Sequence, residues 1–255
     1  ELTIPTTRPK TTAEIEAMRT GGRMLATVLD KLEQLLEPGM STKQLADIAA
    51  KELKALGGKP AFLHYEGFPD VLCVSINDEV VHGIPQASRI IQEGDLVGLD
   101  FGVIYKGLIT DGARSVLAGS SASNTDKQLL AVTKQALDAG IDVVHDGVRV
   151  GTIAAAIQAV LDKHGLGIIR DLVGHGVGDH LHEAPNIPNF GSKDTGPTLK
   201  AGMTIAIEPM ATLGGHNVFI TQDGWTVCTK DGSRSAHFEH TIAVTKDGAE
   251  ILTTV

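Results

Sequence analysis

A repeated order of elements is the feature that most restricts what this chain can fold into. Two helical patterns followed by strand-like runs occur twice, and EPGMSTKQLADIA in the first half resembles HDGVRVGTIAAAI in the second. Aligning Gly39 with Gly147 also aligns Leu45-Ala46 with Ile153-Ala154. The repeat predicts an α+β fold: a pseudo-twofold, duplicated helix-helix-sheet unit with a curved, mostly antiparallel sheet backed by helices. We expect a site between the halves.

The ends of the helices are recognisable. Capping-box patterns at Thr11 and Ser41 start two helices, which are expected to end at Pro38-Gly39 and Gly57-Gly58. Two more helices are expected from about residue 125 to 144 and from 151 to 164. Strands are predicted in VLCVSI, in LVGLDFGVIY and in the run through Val116, and then at 168–173, 203–207, 218–221, 225–229 and 238–244.

Length and charge narrow the function classes. We expect one catalytic domain over residues 1–255, with residues 1–10 as an N-terminal extension, because no Pro/Gly/Ser-rich linker separates the halves. The 22 Lys and Arg against 31 Asp and Glu give a net charge of -9, which argues against nucleic acid as a substrate. No apolar stretch reaches the ~18 residues of a membrane span. A soluble, cytoplasmic protein with no membrane partner and with buried free thiols at Cys73 and Cys228 is expected.

Potential metal ligands lie in or beside strand-like runs: Asp100, Asp111, His175, Glu208 and Glu239. Three of these acids have apolar neighbours, in VGLDFG, MTIAIEPM and SAHFEHTIAV, where an unpaired carboxylate costs on the order of several kcal/mol. A lone acid of this kind is more often a satisfied buried carboxylate or a turn residue, but that explanation is weak for three acids beside a Gly-flanked histidine. An oxygen-rich set with one imidazole suits Mn, Fe(II) or Co, and bridging carboxylates would hold two ions about 3.5 to 4 Å apart.

Imidazoles and aromatic side chains accompany these ligands. His82 in VVHGIP and His182 in GHGVGDHLHEAP are candidates to donate to an oxyanion or to move a proton, although a turn histidine explains His82 equally well. His180 alternates with His182, so one or both are expected to face the site. Surface or packing positions are expected for His64, His145, His164, His216, His237 and His240. Core packing or a pocket for a linear side chain would explain the aromatic residues Phe62, Tyr65, Phe68 and Trp225.

Several motifs, in one order, resemble a known family. VVHGIP, LDFGVIYKGLITDGARS, GHGVGDHLHEAP, MTIAIEPM and the run 225–241 together are similar to the type I methionine aminopeptidases, in their short bacterial form, over about residues 12–253. The resemblance implies the pita-bread fold and two divalent metal ions, which would be Co, Mn, Fe(II), Zn or Ni. It also implies that Asp111 and Glu239 bridge the ions, that Asp100 binds one ion, and that His175 and Glu208 bind the other.

The same resemblance implies a reaction. The enzyme would remove the initiator methionine from nascent polypeptides, as a monomer acting near the ribosome, and would prefer a small second residue. A metal-activated hydroxide would attack the peptide carbonyl, with Glu208 as general base and then acid. His82 would position the substrate or pass it a proton, and His182 would stabilise the tetrahedral intermediate. The resemblance also implies that the methionine pocket is lined by Phe62, Tyr65, Phe68, Cys73 and Trp225.

Two residues of this chain depart from the family pattern, and two other functions are alternatives to the proposed peptidase activity. The family often has a cysteine where this chain has Phe62 and an aromatic residue where it has Leu181, which alters the expected pocket shape and leaves the chemistry alone. An X-Pro dipeptidase or aminopeptidase of the same fold resembles this chain at all five ligands but usually carries an extra N-terminal domain. A non-catalytic peptide-binding homologue is the second alternative.

Overall fold

Two pairs of helices divide the strands of the chain into two series. The computed structural model describes residues 3–255, so the first two residues of the predicted extension lie outside it. The helices are α1 (Thr12–Leu35), α2 (Thr42–Leu56), α3 (Asn124–Asp142) and α4 (Val150–Lys163). The predicted repeat of helix pairs is thereby confirmed. Between residues 3 and 255, no helix has both the length and the apolarity needed to cross a membrane.

Local capping explains where these helices begin and end. The Thr11 hydroxyl accepts the backbone N–H of Glu14 at 3.2 Å. Ser41 and Gln44 form a complete capping box, in which the Gln44 side chain accepts the Ser41 N–H at 2.7 Å. Gly57 ends α2 at φ 89°, a left-handed conformation that glycine adopts without a Cβ clash.

Short strands follow each pair of helices. They are β1 (Lys59–Pro60), β2 (Leu72–Ile76), β3 (Glu79–Val81), β4 (Leu96–Tyr105), β5 (Leu108–Leu117), β6 (Gly167–Ile168), β7 (Gly174–Gly176), β8 (Glu183–Ile187), β9 (Thr204–Ile207), β10 (Met210–Thr212), β11 (Val218–Ile220), β12 (Val227–Thr229), β13 (Ser235–His237), β14 (His240–Val244) and β15 (Ala249–Ile251). The two longest, β4 and β5, form a hairpin against which α1 packs.

Antiparallel pairing arranges these strands in four sheets. Their orders are β1-β4-β2 with β5 on β4, β13-β10-β6, β11-β12-β3 and β15-β14-β9-β7-β8. An isolated antiparallel bridge between Ala113 and Glu239 joins β5 to the second half. One apolar core lies between α1, α2 and strands β2 and β4, and another between α3, α4 and strands β9, β10, β13 and β14. The α+β class is confirmed, and the antiparallel strands are shared among several small sheets.

Three strand predictions were too long by two residues or more. The run from Ile168 ends at that residue, and further along it Leu172 and Val173 lie outside any strand and line a cavity. The run from Trp225 begins only at β12, because the Asp223 carboxylate accepts the N–H groups of residues 225 and 226 at 2.8 Å each. Residues 238 and 239 precede β14 in the third run. The strands β1, β3, β8, β10, β13 and β15 were not predicted.

The N-terminal segment is anchored on β8. The Thr7 N–H donates to the Ala184 carbonyl at 2.7 Å, and the Ala184 N–H donates to the Pro5 carbonyl at 2.8 Å. The Arg8 guanidinium donates to both carboxylate oxygens of Asp179, at 2.7 and 2.9 Å. This segment therefore holds the loop that leads into β8.

Candidate metal centre and adjoining pocket

The register of the β4–β5 hairpin brings two carboxylates to one face. Asp100 lies opposite Ala113, and Asp111 lies opposite Gly102. Because side chains alternate along a strand, Asp100 and Asp111 are diagonal neighbours on the same face. The missing side chain at Gly102 leaves space that the Phe62 ring occupies, since a Cβ there would lie 2.5 Å from Phe62 Cε1.

The second half supplies the other three candidate ligands. His175 lies on β7, opposite Ala206 of β9. Glu208 follows β9 directly, and Glu239 directly precedes β14. Since His240 pairs with Ile207 in the antiparallel β9–β14 ladder, Glu208 and Glu239 lie side by side. The Glu239 N–H donates to the Ala113 carbonyl at 2.9 Å, so this backbone contact fixes one half against the other.

These side chains converge on one another. His175 Nε2 lies 3.2 Å from Glu208 Oε1, 3.6 Å from Asp111 Oδ2 and 3.9 Å from Glu239 Oε1. His175 Nδ1 is 2.9 Å from the Gly176 carbonyl, to which it donates, and Nε2 therefore faces the carboxylates. Ligand atoms of His175, Glu208 and Glu239 lie within 4.8 Å of one another, and so do those of Asp100, His237 and Glu239.

Buried acceptor atoms without partners test whether these residues fit a cation. Among the described residues, Asp100 Oδ1, Asp111 Oδ1 and both carboxylate oxygens of Glu239 are buried and accept no hydrogen bond. A buried carboxylate in this position is costly unless a positive group pairs with it. Oxygen donors with a single imidazole match the preference of divalent first-row metals. The residues therefore fit divalent metal binding.

The buried charges at the centre shift the pKa values of four of these side chains. Burial, and then the charge of Asp111, raise the pKa values of Asp100 and Glu239 well above the usual range. Burial lowers the pKa of His175, but hydrogen bonds to Asp111 and Glu208 outweigh this and raise its pKa to about 10. Burial raises the pKa of Glu208, whereas hydrogen bonds from His175 and His237 bring it below the usual range. An added divalent cation would relieve the repulsion among these carboxylates.

An apolar cavity of about 170 Å³ opens onto these ligands. Its wall includes the predicted pocket residues Phe62, Tyr65, Phe68, Cys73 and Trp225, and also Val81, Leu172, Leu181 and Met210. The Phe68 and Trp225 rings pack edge to face with centroids 5.2 Å apart. Phe62 and Phe68 are buried, so the cluster forms a pocket wall and packs against the core at the same time.

Two predicted histidines face the cavity, and a third does not. His82 lies on its wall at φ 63°, with its ring 6.4 Å from that of Trp225. His182 Nδ1 is 2.8 Å from the Tyr65 hydroxyl, and its ring centroid is 4.3 Å from that of His175. His180 has a side chain that is 63% exposed, and it does not line the cavity.

One histidine at this centre was not predicted. We expected a surface or packing position for His237; it is buried, only 3% exposed, and its Nε2 also lies 3.1 Å from Glu208 Oε2. The available signal was its spacing: His237 is two residues before Glu239 in SAHFEHTIAV. Residues two apart on an extended backbone point to the same side.

Comparison with known proteins agrees with this geometry. Residues 16–246 match metallopeptidase family M24. Methionine aminopeptidase 1 of Bacillus subtilis (strain 168) is 44% identical over 246 residues, which cover 96% of this chain and 98% of that protein. The crystal structure of methionine aminopeptidase from Thermotoga maritima superposes with a TM-score of 0.96 at 43% identity, covering 98% of this chain and 100% of the other.

A more distant likeness extends to a prolidase. The prolidase from Pyrococcus furiosus has a TM-score of 0.77 at 21% identity, covering 97% of this chain and 65% of that chain. At that identity the likeness shows a shared fold alone. The pita-bread fold is thereby confirmed, and the full-length identity singles out one branch of the family. The chain therefore belongs to metallopeptidase family M24 and, within it, to the methionine aminopeptidases.

Proposed function

We propose that this chain removes the N-terminal methionine from nascent peptides, with Asp100, Asp111, His175, Glu208 and Glu239 holding two divalent ions. The observation that carries this proposal is the set of unpartnered, buried carboxylate oxygens beside an apolar pocket. Overlapping ligand groups that share Glu239 support two ions rather than one. When bound, such ions polarise a peptide carbonyl and lower the pKa of water. Their identity, among Co, Mn, Fe(II), Zn and Ni, depends on availability as well as on the ligands.

Glu208 is the proposed proton carrier. Its Oε1 faces His175 and its Oε2 faces His237, so the carboxylate is held at the centre with both oxygens oriented. In the proposed reaction Glu208 accepts a proton from the attacking water and delivers it to the leaving amine nitrogen. The hydrogen bonds from His175 and His237 keep Glu208 ionised before that transfer.

His182 is the proposed oxyanion donor. Burial lowers its pKa, so the ring is neutral near pH 7 and carries one N–H. In this role the Tyr65 hydroxyl, 2.8 Å from Nδ1, would donate to that nitrogen and leave the proton on Nε2. Nε2–H is then free to donate to the developing oxyanion. Burial also lowers the pKa of His82, which is proposed to position the substrate as a neutral imidazole.

The apolar cavity is the proposed methionine subsite. Phe68 and Trp225 provide flat walls suited to a thioether side chain. Phe62 and Leu181 also line the cavity, so both departures from the family pattern lie where they alter the pocket and not the ligand set.

We also retain a single domain, a monomer, a cytoplasmic location and action near the ribosome as predictions.

Release of free methionine tests the proposal. Metal-stripped protein would be incubated with a Met-Ala-Ser peptide, or with Ala-Pro, after Mn, Fe(II) or Co is added back. We expect metal-dependent methionine release from the tripeptide and no cleavage of Ala-Pro. The Glu239→Ala variant should be inactive and lack the second ion, whereas the control Glu37→Ala, at an exposed acid, should match the wild type. Cleavage of Ala-Pro would favour an X-Pro peptidase, and no cleavage of either peptide would favour a binding protein.

A further inference from the structure

His237 is a buried imidazole in contact with the candidate metal centre. It lies on β13 and is 3% exposed. Its backbone is fixed at two points, since its N–H donates to Ser115 Oγ at 2.9 Å and its carbonyl accepts the Ser115 hydroxyl at 3.1 Å. Its Nε2 lies 3.1 Å from Glu208 Oε2. The ring is thus held rigidly beside a side chain that is proposed to move a proton.

The surroundings of His237 determine which way that hydrogen bond runs. Its Nε2 contacts Glu208, and a ring nitrogen lies in one ligand group with oxygens of Asp100 and Glu239. Ionised carboxylates only accept hydrogen bonds. The imidazole must therefore donate to Glu208, and the hydrogen bond is charge-assisted.

Glu208 has few other restraints on its orientation. It follows the end of β9, and its backbone carbonyl accepts the Asn189 side-chain amide at 3.1 Å. Oε1 is directed to His175 at 3.2 Å. Without His237, Oε2 would be a buried acceptor with no partner, and the carboxylate would rotate to find one.

We propose that His237 is a positioning residue that orients the Glu208 carboxylate, so that Oε1 is presented to the metal and Oε2 is held at a fixed point. This inference rests on the proposed function for the role of Glu208 in the reaction. The expected effect on metal affinity does not depend on the proposed function, since a misoriented ligand binds a cation less tightly whether or not the protein is a peptidase. Loss of a partner that orients a metal ligand typically costs about 10- to 100-fold in metal affinity or activity.

The test compares two replacements of His237 in the full-length protein. His237→Gln retains an N–H donor at similar reach, and His237→Leu fills space without a donor. His164→Leu is the matched control, because His164 ends α4, away from the candidate metal centre, and its Nδ1 lies 2.9 Å from the Val160 carbonyl. Mn²⁺ affinity and stoichiometry would be measured by calorimetry on metal-stripped protein, and kcat and KM on the Met-Ala-Ser peptide.

We expect His237→Leu to weaken Mn²⁺ binding and to lower kcat, each by about 10- to 100-fold, with a much smaller change in KM. His237→Gln should recover most of both losses, and the control should match the wild type. Wild-type affinity and kcat in His237→Leu would overturn the proposal, as would equal losses in the Gln and Leu variants. If circular dichroism shows that the Leu variant is unfolded, His237→Asn, whose shorter side chain withdraws the donor, replaces it. A wild type that binds Mn²⁺ but releases no methionine would contradict the proposed function alone, and the affinities would still decide the role of His237.

Discussion

Divalent metal should stabilise this protein against unfolding by an amount that the structure allows us to bound. Four carboxylate oxygens, one each on Asp100 and Asp111 and two on Glu239, are buried without a hydrogen-bond partner among the described residues. Each unsatisfied group costs about 1 to 3 kcal/mol, so the relief available is on the order of 4 to 12 kcal/mol. One ion at a free concentration 100 times its Kd adds about 2.7 kcal/mol to the free energy of unfolding. The relief of the unpartnered carboxylate oxygens is large enough to account for that stabilisation.

Thermal unfolding measures this effect. A domain of this size shifts its midpoint by about 2 to 4 °C per kcal/mol, so one saturating ion should raise Tm by about 5 to 11 °C. Circular dichroism would follow metal-stripped protein as MnCl2 is added. Glu239→Gln removes the acid that both proposed ions share, and it should lose most of the shift. A wild-type Tm that does not move, or a Glu239→Gln variant that moves as far as the wild type, would refute this reasoning.

The pH dependence of metal-free protein is part of the same prediction. Burial and the Asp111 charge raise the folded pKa values of Asp100 and Glu239, so above the unfolded value of about 4 the folded state binds more protons. The pKa of His175 is raised to about 10, which acts in the same direction above pH 7. The free energy of unfolding should therefore fall from pH 7 to pH 9 in a chelator. Denaturant midpoints that rise over this range in the wild type would contradict the charge analysis.

Two substitutions test the pocket. Tyr65→Phe removes the hydroxyl that lies 2.8 Å from His182 Nδ1 and should lower kcat about fivefold, for a hydrogen bond of about 1 kcal/mol, with little change in KM; an unchanged kcat would show that the hydroxyl does not set the His182 tautomer. Gly102→Ala places a Cβ 2.5 Å from the Phe62 ring, so that ring should shift into the cavity and raise KM for methionyl peptides. Gly98→Ala on the same strand, where the nearest atom is 3.5 Å away, should keep the wild-type KM, and equal KM values in both variants would contradict the proposed steric effect.

Sequence patterns that span only a few residues were sufficient to predict the helices. The caps at Thr11 and Ser41 and the stop at Gly57 are local interactions, and the helices begin and end close to them. The buried acids were also predictable, because a charge inside an apolar strand requires a partner. In the structure, Asp100 and Glu239 lie in ligand groups with other buried acids and histidines.

Interactions between distant segments could not be predicted in the same way. The Trp225 run is shortened by the Asp223 side chain, which competes for backbone N–H groups, and composition does not reveal that competition. The partner of His237 depends on how β13 lies against the end of β9, a contact across 29 residues. The Tyr65–His182 hydrogen bond spans 117 residues. Such pairs require the three-dimensional register, which strand patterns in a single sequence leave open.

The division of ligands between the halves makes the proposed metal ions a cross-link. Asp100 and Asp111 belong to the first helix-helix-strand series, and His175, Glu208 and Glu239 to the second. Neither half alone offers the full set, so an ion bound by both would tie the two cores together, in addition to the β3–β12 pairing and the Ala113–Glu239 bridge.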